Sequence, residues 1–248
     1  MKFEMTHAAE KGTRRYQEDR HVVYWVPEEG YLLAVFDGHG GAECAEYCSK
    51  RLVALYHEVR NGLLVPNFES IMMIMFRVLN KETQHMGSGC AASIAIIKAD
   101  GSEVVVGVLG DAPVLVKRDD GQFWLAPEHN VRSNVNEAEQ AKKRGGFVSG
   151  GYLFETYSGG GLQMSRALGD TDLDKVLLRE PEIFRIPLGP QSWVLVGSDG
   201  LFDPSHQKSP TSEIALEIEN HATAEILVRD ALAVPTEDNV TAILVKLV

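Results

Sequence analysis

Four acidic residues of this chain lie where apolar, strand-like runs meet their loops. The runs and their acids are 32–36 before Asp37, 104–110 before Asp111, 193–198 before Asp199, and 240–245 after Asp238. If the last strand runs antiparallel to the others, its start lies beside their ends, and the carboxylates converge on one edge of a sheet. Such carboxylates repel one another unless a cation lies between them, and hard divalent cations prefer oxygen ligands. The pattern therefore predicts a metal-dependent enzyme.

The composition is that of a globular protein that needs no covalent cross-links. The chain has 248 residues, of which 44% are hydrophobic, and its formal net charge is −11. A chain of this length can bury a sufficient core without disulfides. The excess of acid argues against nucleic acid or an anionic membrane as the main partner. A phosphorylated substrate is compatible with it, because a bound metal would reverse the local charge.

The three cysteines form an odd and sparse set, which predicts a reducing compartment. Cys44 and Cys48 would share one face of a helix. A zinc pair is one alternative, but small core residues are the favoured interpretation, because no other Cys/His cluster lies nearby in the sequence. Residues 1–5 lack the apolar stretch of a signal peptide, and no run approaches the ~20 apolar residues of a membrane helix. We expect an intracellular, cytoplasmic monomer, with a nuclear location left open.

Turn signals and hydrophobic periodicity predict an α+β protein. The predicted strands form hairpins or end the chain, and they are 21–26 with 31–36, 91–99 with 103–109, 113–118 with 122–125, and 240–247. The predicted helices have apolar residues at helical spacing, and they are 42–60, 68–84, 134–144 and 211–232. The glycine-rich segment 145–161 is interpreted as a mobile hairpin or flap, with a solvent loop as the alternative. We expect two antiparallel sheets with helices outside, in one domain over residues 1–248.

The segment Asp37–Gly41 reads DGHGG and is the strongest single motif. Its glycines permit the backbone to approach a ligand closely, so the carbonyl of Gly38 could join Asp37 in holding a metal. His39 would then stand beside the site as a proton donor, although a lone histidine is more often structural.

Other acidic motifs are weaker when each is taken alone. The hairpin predicted over 21–36 brings Glu18 and Asp19, which precede its first strand, beside Asp37. The segment Ser198–Asp203 carries two carboxylates that flank a tight turn. In isolation each motif fits a plain strand–turn unit or a solvated loop, so their joint order carries the inference.

Taken together, the motifs closely resemble the metal-dependent protein serine/threonine phosphatases of the type 2C or PPM family. They follow the family's order from about Gly12 to Val245, and they are RxxxED at Arg14–Asp19, DGHGG at Asp37–Gly41, SGCAA at Ser88–Ala92, GD at Gly110–Asp111, SRALGD at Ser165–Asp170, SDGLFD at Ser198–Asp203 and DNVT at Asp238–Thr241. The resemblance covers nearly the whole chain. It implies a central antiparallel β-sandwich flanked by α-helices on both sides, in four αββα layers, with a metal centre at one end.

The resemblance implies a centre of two Mn²⁺ or Mg²⁺ ions. Asp37 would bridge both ions. Asp199 and Asp238 would complete one site. Glu18 and the Gly38 carbonyl would serve the other site, partly through water. Two cations roughly 3.5–4 Å apart can clamp the attacking and leaving oxygens of an in-line displacement, which agrees with these roles.

The resemblance also implies roles around the two ions. Arg14 would hold the substrate phosphate, for which its planar guanidinium is suited. His39 would protonate the leaving serine or threonine oxygen. Asp19 would support the metal ligands from behind. Asp111, with Asp199 and Asp203, would match the family's weaker third-metal site.

The implied activity is hydrolysis of phosphoserine and phosphothreonine in signalling phosphoproteins, by direct attack of a metal-bridging water. A pseudophosphatase that only binds partners is one alternative, but it should have lost core carboxylates, and Asp37, Asp199 and Asp238 are all present. A metal-dependent hydrolase of small phosphomonoesters is the other alternative. Activity on phosphopeptides against a panel of metabolites would distinguish it.

The chain departs from the family's pattern at three places. After Gly110-Asp111 the family usually has Ser-Arg, and this chain has Ala112-Pro113. Glu128–Asn130 reads EHN in place of Asp-His-Lys, and Cys90-Ala91 replaces a Ser-Thr pair. None of these changes removes a core metal ligand. We expect them to affect the loop around Asp111, the affinity for a third metal and the choice of substrate.

Overall fold

The computed structural model describes residues 2–202, 211–233 and 237–248. Its strands are β1 Phe3–Glu10, β2 Arg20–Val26, β3 Gly30–His39, β4 Gly89–Lys98, β5 Glu103–Leu109, β6 Val114–Lys117, β7 Phe123–Leu125, β8 Phe147–Ser149, β9 Tyr152–Phe154, β10 Leu168–Gly169, β11 Glu182–Pro187, β12 Trp193–Gly197 and β13 Val240–Leu247. Its α-helices are α1 Glu43–Gly62, α2 Phe68–Thr83, α3 Val135–Lys143, α4 Asp199–Phe202, α5 Thr211–Glu219 and α6 Ala224–Ala233. A 3₁₀ turn covers Thr171–Leu173.

The strands form two main antiparallel sheets. The first sheet has the order β1-β13-β12-β6-β7, and the second has the order β11-β5-β4-β3-β2, with β10 paired to β4. A separate hairpin of β8 and β9 lies within the glycine-rich segment, where the sequence predicts a hairpin or flap. Helices combined with antiparallel sheets confirm the predicted α+β class.

Packing on both faces of each sheet produces the four layers. Leu33 and Val35 of β3 point into the core between the two sheets. Their neighbours Leu32 and Phe36 point the other way, into a core shared with α1 and α2. Helices α5 and α6 cover the outer face of the first sheet. Because both faces of β3 are buried, its sequence is a continuous apolar run rather than an alternating one.

Strand register explains why the acidic residues converge. Strands β3 and β5 both pair antiparallel with β4, so both end beside its start, with Asp37 opposite Ala91 and Leu109 opposite Ala92. Strand β13 runs antiparallel to β12, so its start lies beside the end of β12. The antiparallel last strand is therefore as predicted, but the prediction of one sheet edge is wrong, because β3 and β5 belong to one sheet and β12 and β13 to the other, and the acids meet at one end of the sandwich. Asp37 itself lies within β3 rather than just after it.

The predicted single helix over 211–232 is wrong, because two helices, α5 and α6, occupy this region. The break falls at 220–223, where His221 has a left-handed φ of 71°, a conformation that ends helices. The backbone N–H of Ala224 then donates to the Thr6 hydroxyl at 2.9 Å as the next helix starts.

The two-residue strand β10 has no counterpart among the predicted elements, and neither do two longer strands, β1 and β11. Each lies at the edge of its main sheet and pairs with a single neighbour, so neither needs a continuous apolar run.

Within the described ranges, no helix combines the length and apolar character needed to cross a membrane. The predicted site residue Asp203 lies outside the described residues.

Candidate metal centre and active site

A cleft of about 1050 Å³ opens at the edge of the sandwich where the acidic strand ends meet. Six of the predicted site side chains line it, and they are Arg14, Asp37, His39, Asp111, Asp199 and Asp238. Gly38 lines it as well. These residues come from the ends of β3 and β5, from the start of α4, and from the segments before β2 and β13. The structure therefore brings together side chains that are up to 224 residues apart in sequence.

Asp37 and Asp199 form the centre of the acidic cluster. The backbone N–H of Asp199 donates to Oδ2 of Asp37 at 3.1 Å. Burial raises the pKa of Asp37 well above its usual value, and the charges of Asp199, Asp19 and Asp238 raise it further. Burial likewise raises the pKa of Asp199, with Asp111 and Asp238 adding to the effect. Carboxylates in this state bind either a proton or a metal ion.

Arg14 lies at the rim of the cleft and contacts the same cluster. Its Nη2 forms an ion pair with Oδ2 of Asp238 at 2.8 Å, and its Nε donates to the carbonyl of Glu237. The side chain of Arg14 is 47% exposed, so part of the guanidinium faces solvent above the acids. This position is compatible with phosphate binding, which stays a prediction.

Glu18 does not line the cleft but is held beside it by the Gly41 backbone and the Asn239 side chain. Its Oε1 accepts from the N–H of Gly41 at 2.6 Å, and its own N–H donates to Oδ1 of Asn239 at 2.7 Å. The Asn239 amide also donates to the carbonyls of Lys11 and Tyr16 at 2.9 and 3.0 Å. Asn239 therefore ties the segment that carries Glu18 to the start of β13.

Asp19 lies buried behind the acidic cluster, and its support of the metal ligands stays a prediction. Its Oδ2 accepts from the Thr241 hydroxyl at 2.7 Å. Burial raises its pKa to about 6, and the charge of Asp238 contributes. A Cβ at Gly38 would collide with the backbone carbonyl of Glu18, so only glycine lets the two strands approach this closely.

His39 forms the one histidine–acid pair in the cleft among the described residues. Its Nε2 lies 3.0 and 2.8 Å from the two carboxylate oxygens of Asp170. Burial disfavours the imidazolium, but the hydrogen bond and charge of Asp170 outweigh it, so the pKa of His39 is raised. Nδ1 is buried without a hydrogen-bond partner among the described residues. The pair therefore keeps one ring nitrogen available and favours the protonated ring.

Asp111 follows a tight turn at Gly110, whose φ is 109°. Oδ2 of Asp111 accepts from the Asn130 amide at 2.8 Å, whereas the buried Oδ1 has no partner among the described residues. The pKa of Asp111 is raised because the carboxyl is buried. Nδ1 of His129 accepts from the Gly110 N–H at 3.0 Å and so braces the turn. The EHN segment thus supports Asp111 through His129 and Asn130.

The donor set fits hard divalent cations. The carboxylates of Asp37 and Asp199 have raised pKa values, and one oxygen of Asp111 is a buried orphan. Oxygen-only ligands suit Mg²⁺ or Mn²⁺ rather than softer metals. The residues present therefore fit the metal centre that the resemblance implies.

Two residues important to this geometry have no role among the sequence predictions. Asp170 stands in the SRALGD segment, and Asn239 follows Asp238 directly. Their partners His39 and Glu18 are 131 and 221 residues away. The motifs that contain them are visible in the sequence, but only the folded register shows which side chains they contact.

Comparison with known proteins identifies the family. Residues 3–240 match the family model described as Protein phosphatase 2C. Protein phosphatase 1K, mitochondrial, of Xenopus laevis is 30% identical, and the match covers 94% of this chain and 65% of that protein. Probable protein phosphatase 2C 11 of Arabidopsis thaliana is 27% identical, over 99% of this chain and 67% of that protein. The chain thus spans about two thirds of the length of these relatives.

Solved structures agree with this assignment. A sex determining protein of C. elegans has a TM-score of 0.81 and 26% identity, over 98% of this chain and 64% of that one. The catalytic domain of the serine threonine protein phosphatase PstP, described in complex with 2 manganese ions, has a TM-score of 0.66 and 21% identity, over 98% and 97%. At that identity the second likeness concerns the fold. The chain belongs to the protein phosphatase 2C family.

Proposed function

We propose that this chain is a metal-dependent protein serine/threonine phosphatase whose catalytic domain spans residues 1–248. The observation that carries the proposal is the pair of Asp37 and Asp199, two acids that line an open cleft and are joined by a hydrogen bond from the Asp199 N–H to the Asp37 carboxylate. Their pKa values are raised by burial and by further acids. Such a cluster binds cations strongly. Membership of the phosphatase 2C family supports the reaction class.

Asp37 would lie between two ions, with Asp199 and Asp238 on one side and Glu18 with the Gly38 carbonyl on the other. When bound, Mn²⁺ or Mg²⁺ would polarise the phosphate and supply an activated water nucleophile. A manganese-bound neighbour in fold is compatible with this choice.

The chain's own side chains would bind the phosphate and deliver the proton. Arg14 reaches the cleft from the rim, and its partly exposed guanidinium could bind phosphate oxygens in a bidentate manner. His39 has a raised pKa because of Asp170, so it can donate a proton to the leaving oxygen near neutral pH. Asp170 keeps the ring oriented through Nε2.

The substrates would be phosphorylated proteins, since the cleft is open and extends past the acids along Leu125, Pro127 and Tyr152. We place the protein in the reducing cytoplasm, where it would act as a signalling enzyme and as a monomer. Its three cysteines are free thiols in the structure, as the reducing compartment requires.

The decisive experiment measures hydrolysis of a phosphoserine peptide, of p-nitrophenyl phosphate and of a metabolite panel by protein stripped with chelator. Activity should be absent without metal, return with Mn²⁺ or Mg²⁺, and favour the peptide over metabolites. Full turnover in metal-free protein would refute the two-ion mechanism. Metal binding without turnover would indicate a pseudophosphatase, and preference for a metabolite would indicate a small-molecule hydrolase.

A further inference from the structure

All three cysteines of the chain meet in one buried cluster, although they lie in separate segments. Cys44 and Cys48 are one turn apart near the start of α1, and Cys90 is on β4. The side chains of all three are fully buried. The three sulfur atoms lie within 4.8 Å of one another. The third thiol that the sequence pattern lacks is therefore supplied by the fold.

The sulfur geometry suits a closed coordination site. The Sγ atoms of Cys44 and Cys90 are 3.7 Å apart. A tetrahedral ion with metal–sulfur bonds of about 2.3 Å separates its sulfur ligands by about 3.8 Å. The same distance suits contact between two protonated thiols, and metal titration distinguishes the two arrangements. The three sulfurs could surround one ion without large movement of α1 or β4.

The electrostatic setting favours negative sulfur at Cys44. The thiols of Cys48 and Cys90 hydrogen-bond to its sulfur and lower its pKa, which outweighs the effect of burial. Cys44 is also the second residue of a helix 20 residues long, whose N-terminus stabilises a thiolate. The same contacts and burial raise the pKa values of Cys48 and Cys90, so a bound ion would have to displace the protons of those two thiols.

The cluster is separate from the carboxylate centre but lies directly behind it. Cys90 stands opposite Gly38 in the β3–β4 ladder and opposite Leu168 in the β4–β10 pair. The Cys44 sulfur packs against Gly169, where an added Cβ would come within 3.1 Å of it. Gly169 precedes Asp170, the partner of His39. An ion here would fasten α1 to β4, the strand that pairs with β3 and with β10 and so positions Asp37 and Asp170.

We propose that Cys44, Cys48 and Cys90 form a second metal site, a buried three-thiolate site for a soft ion such as Cu⁺ or Zn²⁺. Thiolate ligands select soft ions, whereas the carboxylate cleft selects Mg²⁺ or Mn²⁺. Complete burial favours a structural role, because redox-sensor cysteines are accessible to solvent. The site would stabilise the fold behind Asp37 and His39 and take no part in the chemistry.

The test titrates reduced, metal-stripped full-length protein with Cd²⁺, whose ultraviolet charge-transfer band reports thiolate ligation, and repeats the titration with Zn²⁺ as competitor. We expect about one sulfur-bound Cd²⁺ per chain, displaced by Zn²⁺. The ion should protect all three thiols from alkylation at least tenfold and raise the melting temperature by several degrees.

Two variants separate this site from the carboxylate centre. Asp37→Asn should keep the charge-transfer band, and Cys48→Ala should lose most of it. Absence of the band in folded wild-type protein would overturn the proposal. So would an unchanged band in Cys48→Ala, or a disulfide between Cys44 and Cys90 in place of the complex. If Cys48→Ala fails to fold, the alkylation of wild-type protein with and without ion decides the question.

Discussion

Two acidic clusters lie on either side of the Asp111 turn and have opposite electrostatics. In the cleft, burial and repulsion raise the pKa values of Asp37 and Asp199. Behind the turn, Glu137 and Glu182 both contact Arg166, with Nη2 of Arg166 3.0 Å from Oε1 of Glu182. Burial alone would raise the pKa of Glu137, but the Arg166 and Ser165 hydrogen bonds outweigh it and lower that pKa.

The comparison shows that acidic ligands in reach of one another do not suffice for a metal site. His129, Glu137 and Glu182 offer ligand atoms within 4.8 Å of one another, as a metal site would. The guanidinium of Arg166 contacts both glutamates and already balances one of their two negative charges, so a second cation would gain less there than in the cleft. Asp37 and Asp199 have each other and further acids as their main charged neighbours, so they depend on an added ion. The difference lies in the cation supplied by the chain, not in the number of acids.

The largest expected effect comes from Asp37→Asn, which removes the charge at the centre of the cleft. Activity on a phosphoserine peptide should fall by at least about 10³-fold, because both ions would lose a ligand. The metal-free protein should become more stable, because repulsion with Asp199 and Asp238 is relieved. Phosphate release and thermal melting with and without Mn²⁺ measure both halves. Near-normal activity would refute the bridging role.

Asp100→Asn is the matched control for that variant. Asp100 also precedes a glycine at a strand end, but it lies in an exposed hairpin turn, where its Oδ1 accepts from Ser102. Activity should be unchanged, and metal should stabilise this variant as it stabilises the wild type. A large loss of activity in Asp100→Asn would show that the effect of an Asp→Asn change is not specific to the cleft.

The next effect concerns His39, which is paired with Asp170 as Glu137 is paired with Arg166. His39→Ala should lower activity on phosphoserine by about 10²–10⁴-fold and activity on p-nitrophenyl phosphate far less, because nitrophenolate leaves without a proton. His85→Ala, at an exposed histidine, is the control. Equal losses on both substrates would mean that His39 is structural.

Asp170→Asn sharpens the same prediction through pH. Asp170 raises the pKa of His39, and a general acid works only while protonated. Activity therefore falls as pH rises through that pKa, and Asp170→Asn should move this alkaline limb to lower pH. Profiles of kcat against pH measure the shift. An unmoved limb would mean that Asp170 does not set the protonation of His39.

Glu137→Gln tests the second cluster and should act on stability rather than on metal binding. Loss of the buried charge opposite Arg166 should lower the free energy of unfolding by about 3 kcal/mol. The pKa of Glu137 is lowered from 4.5 in the folded chain, so its stabilisation is present above pH 4.5 and is lost as pH falls through the folded value. The deficit should therefore shrink in acid. Denaturant titrations at several pH values with Mn²⁺ present measure this loss of unfolding free energy. Reduced Mn²⁺ affinity in Glu137→Gln would contradict the claim that the second cluster binds no metal.

Local signals in the sequence account for most of the elements and for the place of the acids. The apolar run of β3, the Asp-Gly turns and the order of motifs are all properties of neighbouring residues. The edge strands β1 and β11 escaped prediction because each pairs on one side and carries a mixed pattern. The break at His221 depends on a left-handed conformation that is uncommon for a residue other than glycine, so no glycine marks it in the sequence.

Pairings between distant segments could not be predicted, because they depend on strand register. The partnership of His39 with Asp170, the bracing of Glu18 by Asn239, and the approach of Cys90 to Cys44 each join residues from different elements. Each motif was visible, but a shift of one residue in β4 would turn Cys90 to the opposite face. The burial of Cys44 and Cys48 agrees with their interpretation as core residues and equally with a buried metal site. The third thiol emerged only from the fold.

The smallest effect should come from Asp111→Asn, at the boundary between the two clusters. Oδ2 of Asp111 accepts from the Asn130 amide, and the buried Oδ1 has no partner among the described residues. One carboxylate oxygen is therefore occupied by the chain, and the other can bind an ion. The two core ions would be held without Asp111, so calorimetry should still find both of them tightly bound. Turnover should fall about tenfold, and the metal concentration for full activity should change, because the carboxylate charge is lost. Loss of the tight ions would place Asp111 within the main centre, and unchanged kinetics at every metal concentration would mean that this chain uses no third ion.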